Sequence, residues 1–126
     1  ALLAPHRTYL PAVGPLLTAG QVKGMAHITG GGITDNLPRI LPKQCKAVIR
    51  TAGWTPPPIF AFLQRQGNLT SSEMMRTFNN GLGLIVVVSE AQTAEALSRL
   101  SGLGEKAFHI GSIESREEKE EPIQFI

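Results

Sequence analysis

Three consecutive glycines, Gly30-Gly31-Gly32, follow a short strand candidate, Gly24 to Ile28, and precede a helix expected to begin near Thr34. Pro38 and Pro42 keep that helix short, because a proline ring has no N–H to donate and clashes with the preceding turn. The chain must therefore pass from strand to helix within Thr29 to Gly32. There the missing Cβ atoms let the backbone approach a neighbour or a ligand closely.

The same punctuation divides the rest of the chain. A helix is expected from about Tyr9 to Thr18, despite Gly14 and Pro15, and Gly20 closes it. Cys45 to Arg50 reads as a strand. Pro56-Pro57-Pro58 opens a helix through Phe60 and Leu63 to Gln66, and Gly67 ends it. Thr70-Ser71-Ser72-Glu73 has the spacing of a capping box, so a second short helix should turn Met74, Met75 and Phe78 inward. After Asn79-Asn80-Gly81 a strand runs to Val88, and Ser89 caps a helix with Ala94, Leu97 and Leu100 on one face. Ala107 to Ile113 is a further strand, and Ile123 to Ile126 is an edge strand behind a charged turn. The fold class is α/β or α+β, a mixed β-sheet covered by helices.

With 126 residues, 42% of them hydrophobic and 17% charged, the chain has the apolar content for one core and too little charge for intrinsic disorder. Its longest apolar stretch, Leu82 to Val88, is about a third of the roughly 20 residues that a membrane helix needs. A single cysteine, Cys45, excludes an internal disulfide and a thiolate metal cluster, and suits a reducing, cytoplasmic setting. The chain opens Ala1-Leu2-Leu3-Ala4-Pro5 without Met or a signal-like segment, which suggests a fragment. Residues 1–80 hold 8 Lys and Arg against Asp35 and Glu73, while residues 81–126 hold 4 against 8 acids. That basic first part suits a phosphate-bearing ligand. It lacks the clustered Lys/Arg and interleaved aromatics of a nucleic-acid surface, and its two acids are too few for a magnesium site.

Several residues carry two readings each. Thr29-Gly30-Gly31-Gly32 is either an oxyanion cradle at a helix start or a tight turn; it matches neither a Walker A loop nor the dinucleotide fingerprint. His27 stands close enough before it to handle a proton or contact a phosphate, or is a structural histidine. Asn79, Asn80 and Gly81 form either an amide-bearing ligand bend or an Asn-Gly turn entering a strand. Arg76 suits a phosphate or a carboxylate. Arg39 either points back at the glycine loop or satisfies helix carbonyls. Trp54 reads as a packing anchor, and Glu114 to Glu121 as a solvated turn. No His, Asp or Glu cluster has metal-ligand spacing, so no metal site is assigned.

Taken in order, His27-Ile28-Thr29-Gly30-Gly31-Gly32, Asn36-Leu37-Pro38-Arg39-Ile40-Leu41-Pro42 and Arg76-Thr77-Phe78-Asn79-x-Gly81-x-Gly83 resemble the C-terminal domain of the aminoimidazole ribonucleotide synthetase family, the phosphoribosylformylglycinamidine cyclo-ligases. Leu2-Leu3-x-Pro5-x-Arg7-x-Tyr9 resembles the segment joining that family's two domains. His6, Thr8 and Asn80 depart from the family's usual residues. The resemblance implies residues 1–10 as interdomain connector and residues 11–126 as the C-terminal substrate-binding domain, with the N-terminal ATP-binding domain absent. It implies ATP-dependent ring closure in purine biosynthesis: a formyl amide oxygen is activated by phosphorylation and an amidine nitrogen closes the imidazole. His27 would then be catalytic, and Thr29, Gly30, Gly31, Gly32, Asn36, Arg39, Asn79 and Gly81 would bind substrate or phosphate. ATP and magnesium would bind mainly to the N-terminal domain. The partners implied are the ribonucleotide, that domain and a second copy in a homodimer, with no nucleic acid or membrane, and this chain alone would be inactive. Two alternatives are a non-catalytic binding module and the equivalent domain of a related enzyme, the amidotransferase of the preceding step or selenophosphate synthetase.

Overall fold

Proline and glycine bracket the helices of the computed structural model, which describes Pro5 and residues 7–126. Helix α1 (Leu10–Thr18) starts with Pro at its first turn and buries Ala12, Val13 and Leu16. Helix α3 (Pro58–Gly67) ends on the left-handed Asn68 and has no buried residue. It meets the rest of the chain through half-buried residues such as Phe60, whose ring stands edge-on to Phe78 at 6.1 Å. In helix α4 (Ser71–Thr77) the capping box forms in full, with Thr70 Oγ1 accepting from the Glu73 N–H and Glu73 Oε2 accepting from the Thr70 N–H. Met74 is buried as expected, while Met75 and Phe78 are half-buried.

The chain has the α+β class expected, with its strands divided between two small sheets, one antiparallel and one mixed. Strand β1 (Val22–His27) pairs antiparallel with β3 (Leu84–Val88), placing His27 opposite Leu84 and Ala26 opposite Ile85. In the second sheet β2 (Cys45–Ile49) is central, antiparallel to β4 (Gly111–Ser115) and parallel to β5 (Ile123–Phe125). The one-turn helix α2 (Gly32–Asn36) and the 3-10 turn Leu37–Ile40 follow β1. Ala26, Ile28, Ile33, Leu37, Ala47, Ile49, Trp54 and Ile85 make one core that includes residues of both sheets. Each large aliphatic chain fully buried there contributes roughly 1.5–3 kcal/mol of hydrophobic stabilisation.

Three local expectations are corrected. The strand expected over Ala107 to Ile113 pairs only from Gly111 onward, because the β2 partner Ile49 is opposite Gly111 and the ladder then runs out to Ser115. Helix α5 (Thr93–Gly102) begins after the 3-10 turn Glu90–Gln92, which shifts its phase, so Ala96 is buried and Ala94 exposed. The acidic stretch starts inside β4, and Glu120 pairs with Lys46 at 2.6 Å, so it is not wholly a solvated turn. The parts of the connector at residues 1–4 and at His6 lie outside the described residues.

Candidate functional site

β1 and β3 run side by side, so the bend leaving β1 and the bend entering β3 meet at one end of the ribbon. The Ile28 N–H donates to the Gly83 carbonyl at 2.9 Å and continues the pairing past the strand ends. The contact is close enough to select a residue type. Gly32 is buried with φ +61°, and a Cβ there would overlap the Met75 carbonyl oxygen and stand 2.6 Å from that of Phe78. Only glycine fits this position without strain, on both counts. Thr34 Oγ1 donates to the same Met75 carbonyl at 3.3 Å, tying α2 to the end of α4.

The loop Thr29 to Gly32 is organised from within by Asn36, which is 5% exposed. Its Nδ2 lies 3.3, 3.2 and 2.8 Å from the carbonyl oxygens of Thr29, Gly30 and Gly32. Its Oδ1 accepts from Thr29 Oγ1 and from Arg39 Nη1, both at 3.3 Å. Donors on one side and acceptors on the other fix the orientation of the amide. Arg39 thus reaches back to the side chain of Asn36, which braces the glycine loop, rather than to a helix carbonyl. The guanidinium carries five N–H groups, of which this bond uses one. The Asp35 Oδ2 would stand 2.8 Å from a Cβ at Gly31, so one carboxylate rests beside the loop. With α2 only five residues long, the helix dipole adds little and the loop amides themselves are the polar feature.

A second buried amide shapes the facing bend. Asn80 is 3% exposed with φ +52°, and its Nδ2 donates to the carbonyls of Met74 at 3.0 Å and Phe78 at 3.1 Å. Its own carbonyl accepts from Trp54 Nε1 at 3.0 Å, so Trp54 anchors a third loop to this bend. Gly81 carries the crossing further, since a Cβ there would overlap Pro57 Cδ. Asn79 Oδ1 accepts from the Gly81 N–H at 2.9 Å, which holds the bend in an Asx turn.

The sequence-predicted residues therefore fall in one region but play different geometric parts. Thr29, Gly30 and Gly81 are exposed, and Gly31 and Asn79 half-buried, whereas Gly32 and Asn36 are interior. Arg39 is exposed at the loop's flank, and Arg76 is exposed in the last turn of α4. His27 is exposed at the last position of β1, on the side away from buried Ala26. Sequence reasoning left Asn80 as either a ligand-binding amide or a turn residue and missed that its side chain is interior; the Asn-Gly pair between apolar residues was the available signal. It also passed over Asp35. A mostly apolar cavity of about 230 Å³ lies elsewhere, between β3, α5 and residues 105–113, and none of Thr29 to Gly32, Asn79 or Gly81 lines it.

A short strand, three glycines and a one-turn helix, locked against an Asn-bearing bend, define a domain class that comparison with known proteins identifies. Residues 1–123 match the family described as "AIR synthase related protein, C-terminal domain", and the chain belongs to that family. The chain is 49% identical over 125 residues to the phosphoribosylformylglycinamidine cyclo-ligase of Desulfatibacillum aliphaticivorans. It is 51% identical over 125 residues to the enzyme of that name from Geobacter metallireducens. Each match covers 99% of this chain and 36% of the relative, so the chain spans about a third of their length. The fold is shared with the crystal structure of E. coli HypE, a hydrogenase maturation protein, at TM-score 0.67 and 18% identity, over 93% of this chain and 36% of that one. No helix among the described residues is long and apolar enough to cross a membrane.

Proposed function

We propose that this chain is the C-terminal, substrate-holding part of an ATP-dependent cyclo-ligase that converts formylglycinamidine ribonucleotide to aminoimidazole ribonucleotide in purine biosynthesis. The observation that carries the reading is the contact of Gly32 with the Met75 and Phe78 carbonyls, which brings the glycine loop and the Asn79 bend into one polar region. The relatives' name supports the reaction class.

On this reading the backbone of Thr29 to Gly31 receives the phosphate of the ribonucleotide or the phosphoryl group in transfer, because loop N–H groups held in advance stabilise an oxyanion without reorganising. Arg39 offsets the negative charge of the phosphate and of Asp35. Asn79 and Gly81 line the same region, and His27, exposed beside it, handles the proton that leaves the attacking nitrogen. Gly32 and Asn36 hold the loop in shape. Among the described residues no group of three or more His, Cys, Asp or Glu is arranged to hold a metal. On this reading ATP and magnesium bind mainly to an N-terminal domain, for which the relatives' greater length leaves room, and the whole enzyme works as a homodimer in the cytoplasm.

The test is steady-state turnover of the intact enzyme carrying this domain, with and without Asn79→Ala. Ring closure by the wild type and a loss of roughly 5- to 150-fold in kcat/KM for the variant are expected, since one side chain acting on a bound phosphate group contributes about 1–3 kcal/mol. Unchanged turnover and KM in Asn79→Ala would remove that residue from the site, and a wild type without ring-closing activity would remove the function.

A further inference from the structure

Asn36 ends α2, directly after the proposed phosphate loop, and its side chain is interior, with its amide turned to three backbone carbonyls and its oxygen occupied by Thr29 and Arg39. That arrangement has a consequence for the groups a ligand would meet. A trans peptide unit is planar, and its C=O and N–H point in opposite directions. Drawing the Thr29 carbonyl inward turns the Gly30 N–H outward. Drawing in the Gly30 carbonyl does the same for the Gly31 N–H, and drawing in the Gly32 carbonyl does so for Ile33. One buried NH2 group, its two hydrogens shared among three carbonyls, thereby bears on the peptide planes that follow Thr29, Gly30 and Gly32, while the Gly31 carbonyl between them accepts from the Asp35 N–H. Gly31 (φ +97°) and Gly32 (φ +61°) are both left-handed where the loop turns around this amide.

We propose that Asn36 is a positioning residue for anion binding: it never touches the ribonucleotide, and acts by fixing the loop peptides so that their N–H groups face the phosphate. The proposal rests on the functional reading above and deepens it. A ligand-contact role would need the side chain exposed toward the cleft. A purely structural role would need stability, and nothing else, to depend on it. The arrangement fits neither: the side chain is interior, and it bonds loop carbonyls rather than the apolar core of Ile28, Ile33 and Leu37, so Asn36→Asp, of the same shape but with an oxygen facing those carbonyls, is expected to disturb the loop peptides first.

The experiment uses the intact cyclo-ligase carrying this domain, with Asn36→Asp compared against wild type at a temperature below both thermal melts. KM for the ribonucleotide and the inhibition constant of inorganic phosphate competing with it are both expected to rise about tenfold, while KM for ATP stays within twofold. Equal KM values for the ribonucleotide, or a fall in activity in which the ribonucleotide and ATP weaken together, would overturn the proposal. If Asn36→Asp melts below the assay temperature, Asn36→Ser, whose hydroxyl donates a single hydrogen bond, is judged by the same three constants and the same outcomes. Failure of the wild type to catalyse ring closure is a separate result that strikes the functional reading instead.

Discussion

Two alanine substitutions two residues apart in one glycine loop should differ in stability by several kcal/mol. At Gly32 the new Cβ meets the backbone carbonyl oxygens of Met75 and Phe78, and the residue sits at φ +61°. The left-handed conformation costs a non-glycine residue about 1–2 kcal/mol. Overpacking against backbone, which cannot swing away as a flexible side chain would, adds about 1–3 kcal/mol. Gly32→Ala should therefore cost about 2–5 kcal/mol, a large share of the roughly 5–15 kcal/mol that holds a domain together. In a chain of this size that corresponds to a fall in Tm on the order of 10 °C. At Gly30 a Cβ meets nothing within 4 Å and φ is not positive, so Gly30→Ala should lie within about 0.5 kcal/mol of wild type. Urea unfolding followed by circular dichroism, with m-values checked for equality, measures both. A Gly32→Ala midpoint equal to that of Gly30→Ala would refute the close approach of the glycine loop to the end of α4, and with it the single polar region.

Two further outcomes follow from the supporting contacts. Trp54→Phe keeps a six-membered aromatic ring but removes the pyrrole half with its Nε1 donor, leaving the Asn80 carbonyl unpaired beside a small gap; a loss of about 1–3 kcal/mol or more in urea unfolding is expected, and a change under about 0.5 kcal/mol would contradict the anchoring of that loop. Hydrogen bonding to Lys46 and to the Glu117 N–H holds the Glu120 carboxyl below its ordinary value of 4.5, so its contribution is present above that pH and disappears as pH falls through the lower folded-state value. The difference in urea midpoint between wild type and Glu120→Gln should accordingly be larger at pH 7 than at pH 3, and an equal difference at both would be the contrary result. Glu73, lowered chiefly by the Thr70 backbone hydrogen bond, obeys the same sign.

What was legible in the sequence was local. The capping box of α4 needs only Thr70 and Glu73 three residues apart, and both hydrogen bonds form within one turn. The Pro58 start and the Gly67 end of α3 are likewise decided by single-residue backbone chemistry. The edge strand Ile123–Phe125 showed in its alternation, but which strand it joins and in which direction did not, because register depends on distant partners. The same limit hid the separation of the ribbon β1–β3 from the second sheet. In the candidate site the glycine loop and the Asn79 bend were visible as motifs, while the division of labour among their polar residues was not. Asn36 and Asn80 are indistinguishable from ligand-facing amides until burial and carbonyl partners are known. Arg39 had two possible directions, and only the fold of the 3-10 turn after α2 settles which way its guanidinium points.

The account comes down to whether the glycine loop and the facing bend receive one and the same phosphate. An ¹H–¹⁵N correlation map of this chain, titrated with formylglycinamidine ribonucleotide into the millimolar range, tests that directly. The account predicts weak, saturable shifts concentrated on the N–H groups of Gly30, Gly31, Asn79 and Gly81, reproduced in part by inorganic phosphate. Saturable shifts on another face, with these four signals unmoved, would contradict it.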